Sequence, residues 1–138
     1  ASGAELAQAL TATVAKADAA MVVLDFQGGI NAVMDFCKKV NGYVTEKEPW
    51  ILAKDPANKA ELDEVLYNTA ESLRALAVLL HPVMPATTEI LWESLGANAS
   101  IGSLGAQTIS NVAKWGQLPQ GTVVTKTPVL FPRLEIKE

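Results

Sequence analysis

Residues 40–54 read Val-Asn-Gly-Tyr-Val-Thr-Glu-Lys-Glu-Pro-Trp-Ile-Leu-Ala-Lys, and they mark the end of one helix and the start of a short turn. Apolar residues before this stretch recur at helical spacing, whereas Pro49 lacks a backbone N–H and cannot lie in a helix interior. Trp50 follows directly. An indole at a helix end can be presented to solvent, where its face can stack on an unpaired base. The competing interpretation is that Trp50 packs in the core or at a hinge, as a tryptophan in a helical chain usually does.

Helical periodicity continues on both sides of this stretch. A first stripe of apolar residues consists of Leu6, Leu10, Val14, Ala17, Met21 and Leu24. Asp25 is expected to cap a second helix. The stripe of that helix consists of Phe26, Ile30, Val33, Cys37, Val40 and Val44. His81-Pro82 ends a third predicted helix over residues 58–80, and Pro85 begins a fourth over residues 86–95.

Beyond Gly96 glycine, serine, asparagine and threonine interrupt the chain, and no helical period lasts more than two turns. Residues 123–124 and 128–136 predict extended segments, and the prolines of the second segment exclude it from a central strand. We therefore predict an all-α fold. An antiparallel helical bundle is expected over residues 1–96, followed by an irregular or extended C-terminal arm over residues 97–138.

Composition limits the class of protein. A chain of 138 residues, of which 49% are hydrophobic and 19% charged, is long enough for one domain with its own core. The longest apolar runs, such as residues 75–80, are far too short to cross a bilayer. No cationic leader precedes an apolar segment, so no signal peptide is expected. Cys37 is the only cysteine, which fits a reducing compartment and predicts a cytoplasmic location.

Charge is distributed unevenly along the chain, although its net value is −4. Residues 26–59 contain five lysines and four acidic residues, whereas residues 60–100 contain six acidic residues and one arginine. The net negative charge argues against a general nucleic-acid binder, because nonspecific affinity comes mainly from neutralised phosphates. An anionic partner is therefore expected to bind residues 26–59 and to avoid residues 60–100.

The sequence offers little catalytic chemistry. His81 is the only histidine and lies beside a proline at a helix end, where it is expected to act as a helix cap. No histidine or cysteine pair has the spacing of metal ligands, and the glycines at 102–105 lack the lysine of a phosphate-binding loop. Asp63, Glu64 and Glu71 have a helical spacing that suggests a solvated face. We find no catalytic constellation.

Several short motifs occur in a fixed order along the chain. They are Val-Asn-Gly-Tyr-Val at 40–44, Glu-Pro-Trp-Ile-Leu-Ala-Lys at 48–54, Leu-Arg at 73–74, His-Pro-Val-Met-Pro at 81–85, Ile-Leu-Trp-Glu-Ser-Leu-Gly at 90–96, and Pro-Val-Leu-Phe-Pro-Arg-Leu-Glu at 128–135. Together they resemble the anticodon-binding domain of methionyl-tRNA synthetases, which belong to class I, and the peptide that follows it. The resemblance covers nearly the whole chain. It implies that residues 1–96 are the bundle without its first helix and that residues 97–138 pack back toward the catalytic domain.

The resemblance implies that Trp50 contacts the CAU anticodon of a methionine tRNA as a stacking platform. Asn41, Lys47 and Lys54 are supporting candidates, the lysines as neighbours of phosphates. Structural roles are favoured for Asn41 and for Tyr43, whose hydroxyl can hold the turn at Pro49-Trp50. Stacking distinguishes bases poorly, so discrimination requires hydrogen bonds to base edges. In the family these come from an Asn and an Arg on the preceding helix, which is expected to lie outside this chain.

The parent enzyme implied by the resemblance attaches methionine to its tRNA, with a catalytic Rossmann domain as the partner of this chain. ATP and Mg²⁺, with structural zinc as a further possible metal, would belong to that catalytic part, and no cofactor or catalytic residue is expected here. No membrane partner is expected, and a monomer is expected if Glu138 is the natural end. Two alternatives remain open: the matching domain of another class I synthetase, and a helical protein-interaction module that uses the acidic face between Glu61 and Glu93.

Overall fold

The computed structural model describes residues 2–135, and this part of the chain is helical without a strand. Four residues lie outside the described part of the chain. They are Ala1, the first residue of the predicted bundle, and residues 136–138, the last three of the predicted arm. Residue 136 is also the last residue of the second predicted extended segment. The helices are α1 (Gly3–Val22), α2 (Phe26–Lys47), α3 (Pro49–Leu52), α4 (Lys59–Leu80), α5 (Pro85–Ser94), α6 (Ala97–Ile101) and α7 (Ile109–Val112), with 3₁₀ turns at Pro56–Asn58 and Leu104–Ala106. The predicted all-α class is confirmed.

Side-chain caps start the first two helices. Ser2 Oγ accepts a hydrogen bond from the Glu5 backbone N–H at 3.3 Å, and the Ser2 N–H donates to Glu5 Oε2 at 2.8 Å. Asp25 Oδ1 accepts from the Gly28 N–H at 2.9 Å, so the predicted cap of α2 is confirmed. Each such cap contributes about 1 kcal/mol to helix stability.

The long helices form an antiparallel bundle. Only residues 23–25 separate α1 from α2, and so short a connection folds the two helices back on each other. Gly29 faces α1 in this pair, and a Cβ there would lie 2.6 Å from the flexible end of the Met21 side chain and 3.7 Å, an ordinary contact distance, from the Ala17 carbonyl oxygen. Helix α4 then runs back along α2, and it packs against α1, α2, α3, α5 and α7. The main core consists of Leu6, Leu10, Val14, Ala17, Val33, Phe36, Val40, Tyr43, Val65, Ala75, Leu76 and Val112.

The predicted stripes are correct along the middle of the helices and wrong near the α1–α2 turn. Met21, Leu24 and Phe26 were expected to face inward, yet 41%, 71% and 60% of their surfaces are exposed. Helix α1 ends at Val22, so the turn and the start of α2 project beyond the helices that cover the core. Periodicity assigns a face of a helix, but it does not tell whether a neighbour covers that face.

Residues after Gly96 contain more packed structure than an extended arm would. A second core joins α4 and α5 to this region through Ala77, Trp92, Leu95, Ala97, Leu104 and Leu118. Trp92 is fully buried, and its Nε1–H donates to the Gly102 carbonyl at 2.9 Å, so it ties α5 to the region after Gly96. Beyond Leu118 the described chain has neither helix nor strand, and the boundary at residue 96 stays a prediction.

A buried ion pair fastens residues 112–118 to α4. Glu71 and Arg74 are both fully buried, with Arg74 Nη2 2.9 Å from Glu71 Oε1. Glu71 also accepts hydrogen bonds from the backbone N–H groups of Gly116, Gln117 and Leu118 at 2.8–3.1 Å. The expectation that Glu71 lies on a solvated face is therefore wrong.

Candidate nucleic-acid interface

A left-handed residue redirects the chain between α2 and α3. Glu48 has a φ of 44°, and its carbonyl accepts hydrogen bonds from the N–H groups of Ile51 at 2.7 Å and Leu52 at 3.2 Å. Pro49 is the first residue of α3, where its missing N–H costs nothing. Helix α2 thus ends before Pro49 as predicted, and a single helical turn follows at an angle to it.

Trp50 is the second residue of this turn, and 53% of its surface is exposed. Leu52, two residues later, is half-buried and packs against the main core. Because Leu52 anchors α3 from one side, the Trp50 side chain lies on the outer side, where an aromatic ring is available to a ligand. Ile51 beside it is also 45% exposed. This exposure excludes a core position for Trp50.

Two lysines flank the turn. Lys47 Nζ lies 3.3 Å from Glu61 Oε1, and this hydrogen bond together with the negative charge of Glu61 raises the pKa of Lys47 above its usual value. Lys54 is exposed and forms no ion pair with another described residue. Exposed ion pairs contribute about 0–1 kcal/mol, so a phosphate can replace Glu61 as the partner of Lys47 at little cost.

Asn41 and Tyr43 lie farther back on α2. Asn41 is exposed and stands six residues before Lys47, which is about 9 Å along a helix, so the fold does not bring it into the turn. Tyr43 is buried, and its hydroxyl accepts a hydrogen bond from Asn68 Nδ2 at 3.0 Å. The expected bond from Tyr43 to the Pro49-Trp50 turn is therefore wrong, although Tyr43 does have a structural role.

Sequence reasoning missed two residues that bond to side chains of α2, Glu61 and Asn68. Glu61 counted only as part of an acidic segment, and Asn68 had no expected role. Both lie on α4, so their contacts with Lys47 and Tyr43 depend on how two helices pack. A cleft of about 370 Å³ at this end is lined by Ser2, Tyr43, Lys47, Ala60, Glu61, Glu64 and Val65, so the start of α1, the end of α2 and the start of α4 meet here.

Other types of site find no support in residues 2–135. These residues contain no group of three or more histidine, cysteine, aspartate or glutamate side chains that could hold a metal ion. None of the helices they form has both the length and the apolar character needed to cross a membrane. The ring of His81 lies at the C-terminal end of α4, with Nδ1 3.0 Å from Thr88 Oγ1, which agrees with its expected role at a helix end.

Known proteins with similar sequences and structures share the helical bundle. Residues 4–117 match a family model described as the anticodon-binding domain of tRNA ligase. A methionine–tRNA ligase of Streptomyces coelicolor is 58% identical over 131 residues, which cover 93% of this chain and 24% of that protein. Structurally, the free form of Mycobacterium tuberculosis methionyl-tRNA synthetase superimposes with a TM-score of 0.73 at 24% identity, covering 98% of this chain and 26% of the other.

A second structure of the M. tuberculosis synthetase, in complex with methionyl-adenylate, gives a TM-score of 0.70 at 26% identity. The aligned part covers 93% of this chain and 25% of that chain. The chain thus spans about a quarter of the length of these relatives.

Proposed function

Because the chain belongs to the family of anticodon-binding domains of tRNA ligases, we propose that it binds the CAU anticodon of a methionine tRNA as the C-terminal part of a methionine–tRNA ligase. The relative with 58% identity carries that enzyme name. Identity at this level over 93% of the chain favours the methionine enzyme over other class I synthetases.

The observation that carries the proposal is the exposed indole of Trp50 on α3. This short helix begins after the left-handed Glu48, and Leu52 at its end packs against the main core. An anticodon base that leaves its neighbours loses stacking, and an aromatic platform restores part of it. Stacking of this kind contributes about 1–3 kcal/mol per base. Every base has such a face, so Trp50 supplies affinity, and the reading of base identity requires hydrogen bonds to base edges.

The three supporting residues, Lys54, Lys47 and Asn41, differ in how well they are placed to contact RNA. Lys54, exposed and without an ion-pair partner among the described residues, is the best candidate for a phosphate contact. Lys47 would exchange its bond with Glu61 for a phosphate. Asn41 is too far back along α2 for the same base and would contact an adjoining nucleotide.

The proposal extends to the parent enzyme. The parent enzyme would activate methionine with ATP and Mg²⁺ on a catalytic Rossmann domain. That domain would also hold any structural zinc. The enzyme would be a monomer in the cytoplasm. Residues 97–138 would return toward that domain. The exposed side chains of Val129, Phe131 and Leu134 support this last point, since 76%, 67% and 92% of their surfaces have no cover within the described structure.

The experiment is Trp50→Ala in the full-length ligase. We expect kcat/KM for charging to fall about tenfold or more, since about 1.4 kcal/mol of lost stacking is a factor of ten. Methionine-dependent ATP–pyrophosphate exchange, which needs no tRNA, should be nearly unchanged. Trp50→Phe should retain part of the activity, because phenylalanine keeps a smaller aromatic face.

Ile51→Ala is the matched control, because Ile51 lies on the same turn and is similarly exposed. It should charge tRNA nearly as well as the unmodified enzyme. Equal losses of charging and pyrophosphate exchange in Trp50→Ala would mean that Trp50 supports the fold and that the anticodon role is wrong. A hairpin whose CAU triplet is replaced should bind the unmodified enzyme poorly, which separates this function from a protein-interaction module.

A further inference from the structure

A cleft between the helical bundle and the C-terminal arm has no part in the proposed function. We call it the arm cleft, and its volume is about 510 Å³. Side chains of α2, α4 and α5 line one side of it, and side chains between residues 124 and 131 line the other. Its lining includes Met34, Cys37, Met84, Thr87, Thr127 and Leu130. The cleft thus separates two parts of the chain, and a ligand in it would contact both.

Hydrogen bonds hold the arm beside this cleft. The Thr125 N–H donates to the Ser94 carbonyl at 2.8 Å, and Ser94 Oγ donates to the Thr125 carbonyl. Gly96 makes room for the arm to cross, since a Cβ there would lie 2.7 Å from the Val123 carbonyl oxygen. Farther along the arm, Leu130 is half-buried in the lining. The arm side of the cleft therefore does not depend on apolar contacts alone.

The lining of the arm cleft is mainly apolar, and none of the described residues that form it is charged. Two of its polar side chains, Thr87 and Thr127, are half-buried, and their hydroxyls form no hydrogen bond with another described residue. Each hydroxyl can therefore donate to a ligand. Apolar walls that no atom fills lose van der Waals contacts, and a ligand that fits between them would restore these contacts.

We propose that the arm cleft binds an uncharged small molecule that contains an aromatic ring and a hydrogen-bond acceptor such as a ketone oxygen. A charged ligand would lose hydration without meeting a counter-charge in the lining. Small-molecule sites have volumes of about 300–1,000 Å³ and mostly apolar walls with a few polar groups, as the arm cleft has. A rigid ring loses little conformational entropy on binding, and the flexible side chains of Met34 and Met84 can adapt to its shape.

The first experiment is an NMR titration of the full-length ligase, isotopically labelled at its methionine methyl groups, with the bicyclic aromatic ketone indanone. This chain contributes three methionines, of which Met34 and Met84 line the arm cleft and Met21 does not. The Met34 and Met84 signals, assigned with Met→Leu variants, should shift to saturation with a Kd below about 1 mM, and the Met21 signal should not shift. Aminoindane has the same ring system but is a cation at neutral pH, so it should leave all three signals in place.

Two substitutions place an aromatic ring in the arm cleft from opposite sides. Cys37→Phe does so from α2, and Thr127→Phe does so from the arm. Each should weaken indanone binding at least about tenfold, because the new ring takes the place of the ligand. Thr127 lies outside the helices, so its variant keeps the test valid if Cys37→Phe disturbs the bundle. Leu66→Phe, at a residue 51% exposed on α4 and outside the cleft, is the control and should bind indanone normally.

Alkylation of Cys37 by N-ethylmaleimide gives an independent readout, because this thiol is half-buried in the lining of the cleft. Indanone at three times its Kd should slow the alkylation about fourfold, as mass spectrometry of the Cys37 peptide would measure. Unshifted Met34 and Met84 signals, or normal binding by both Phe variants, would overturn the proposal. So would a Cys37 that resists maleimide without indanone, since another part of the ligase would then fill the cleft. These readouts need no tRNA, so failure of the anticodon role would leave them unaffected.

Discussion

Glu71 and Arg74 form an ion pair that is fully buried in the fold. Glu71 receives Arg74 and the N–H groups of residues 116–118, while Arg74 Nη2 also donates to the carbonyls of Val112 at 3.2 Å and Lys114 at 3.1 Å. Arg74 Nε and Nη1 are buried without a hydrogen bond to the described residues. The pair therefore contributes mainly by holding residues 112–118 in place, and it is sensitive to the loss of either member.

Glu71→Gln should lower the free energy of unfolding by about 3–5 kcal/mol, because it leaves the Arg74 charge buried without its counter-charge. Urea denaturation followed by circular dichroism measures this change. Glu64→Gln removes the same charge from an exposed position of the same helix and should shift stability by less than about 0.5 kcal/mol. Glu71→Gln/Arg74→Met should recover part of the loss. A midpoint for Glu71→Gln equal to that of Glu64→Gln would contradict the assigned role.

The burial of Glu71 shows which residues sequence patterns can assign. Leu6, Leu10 and Val14 were placed correctly because helical spacing alone puts apolar residues on one face. Glu71 has the spacing of a surface carboxylate, and its partners lie 45–47 residues later in the chain. No local pattern carries that information. The same reason explains Tyr43, whose partner Asn68 is 25 residues away on a different helix.

At the scale of elements, the residues at which helices begin and end could be predicted from the sequence. Which of their faces neighbouring elements bury could not. Pro49, Pro85 and the Asp25 cap fixed helix ends to within about two residues. Trp50 could be placed at a helix end from its position after Pro49, but its exposure depends on Leu52 packing inward and on the turn at Glu48. Pro49 predicts the break in the helix, but nothing in the sequence predicts that Glu48 takes the left-handed conformation, because glutamate is uncommon in that region.

Glu48 therefore offers a test of the α2–α3 junction. Glu48→Val should lower the free energy of unfolding by about 1–2 kcal/mol, since a β-branched residue at a φ of 44° is strained. It should also weaken hairpin binding, because α3 sets the direction of Trp50. Glu48→Gly, which removes the same charge but accepts this conformation, is the control and should bind nearly normally. If both variants bind RNA equally well, the turn does not position Trp50.

At the scale of the whole molecule, a chain of net charge −4 must bind an anion through a local cluster of cations. Binding to single-stranded RNA weakens with salt by about 0.7 logarithmic units per neutralised phosphate, for each tenfold rise in salt. With Lys47 and Lys54 as phosphate contacts, these two contacts should contribute about −1.4 to the slope of log affinity against log salt. A general nucleic-acid binder with many phosphate contacts would give a far steeper slope.

Lys47→Gln/Lys54→Gln should make this slope shallower by about 1.4 in fluorescence titrations of the full-length ligase with a labelled anticodon hairpin. Lys38→Gln/Lys39→Gln removes the same charge from α2 at exposed positions away from α3, so it should keep the slope near its original value. A contact acts only within a few ångströms, whereas net charge acts over a Debye length of about 10 Å. If the two double variants reduce the salt slope equally, the RNA is attracted by the net charge of the whole molecule. Lys47 and Lys54 are then not contacts of the RNA.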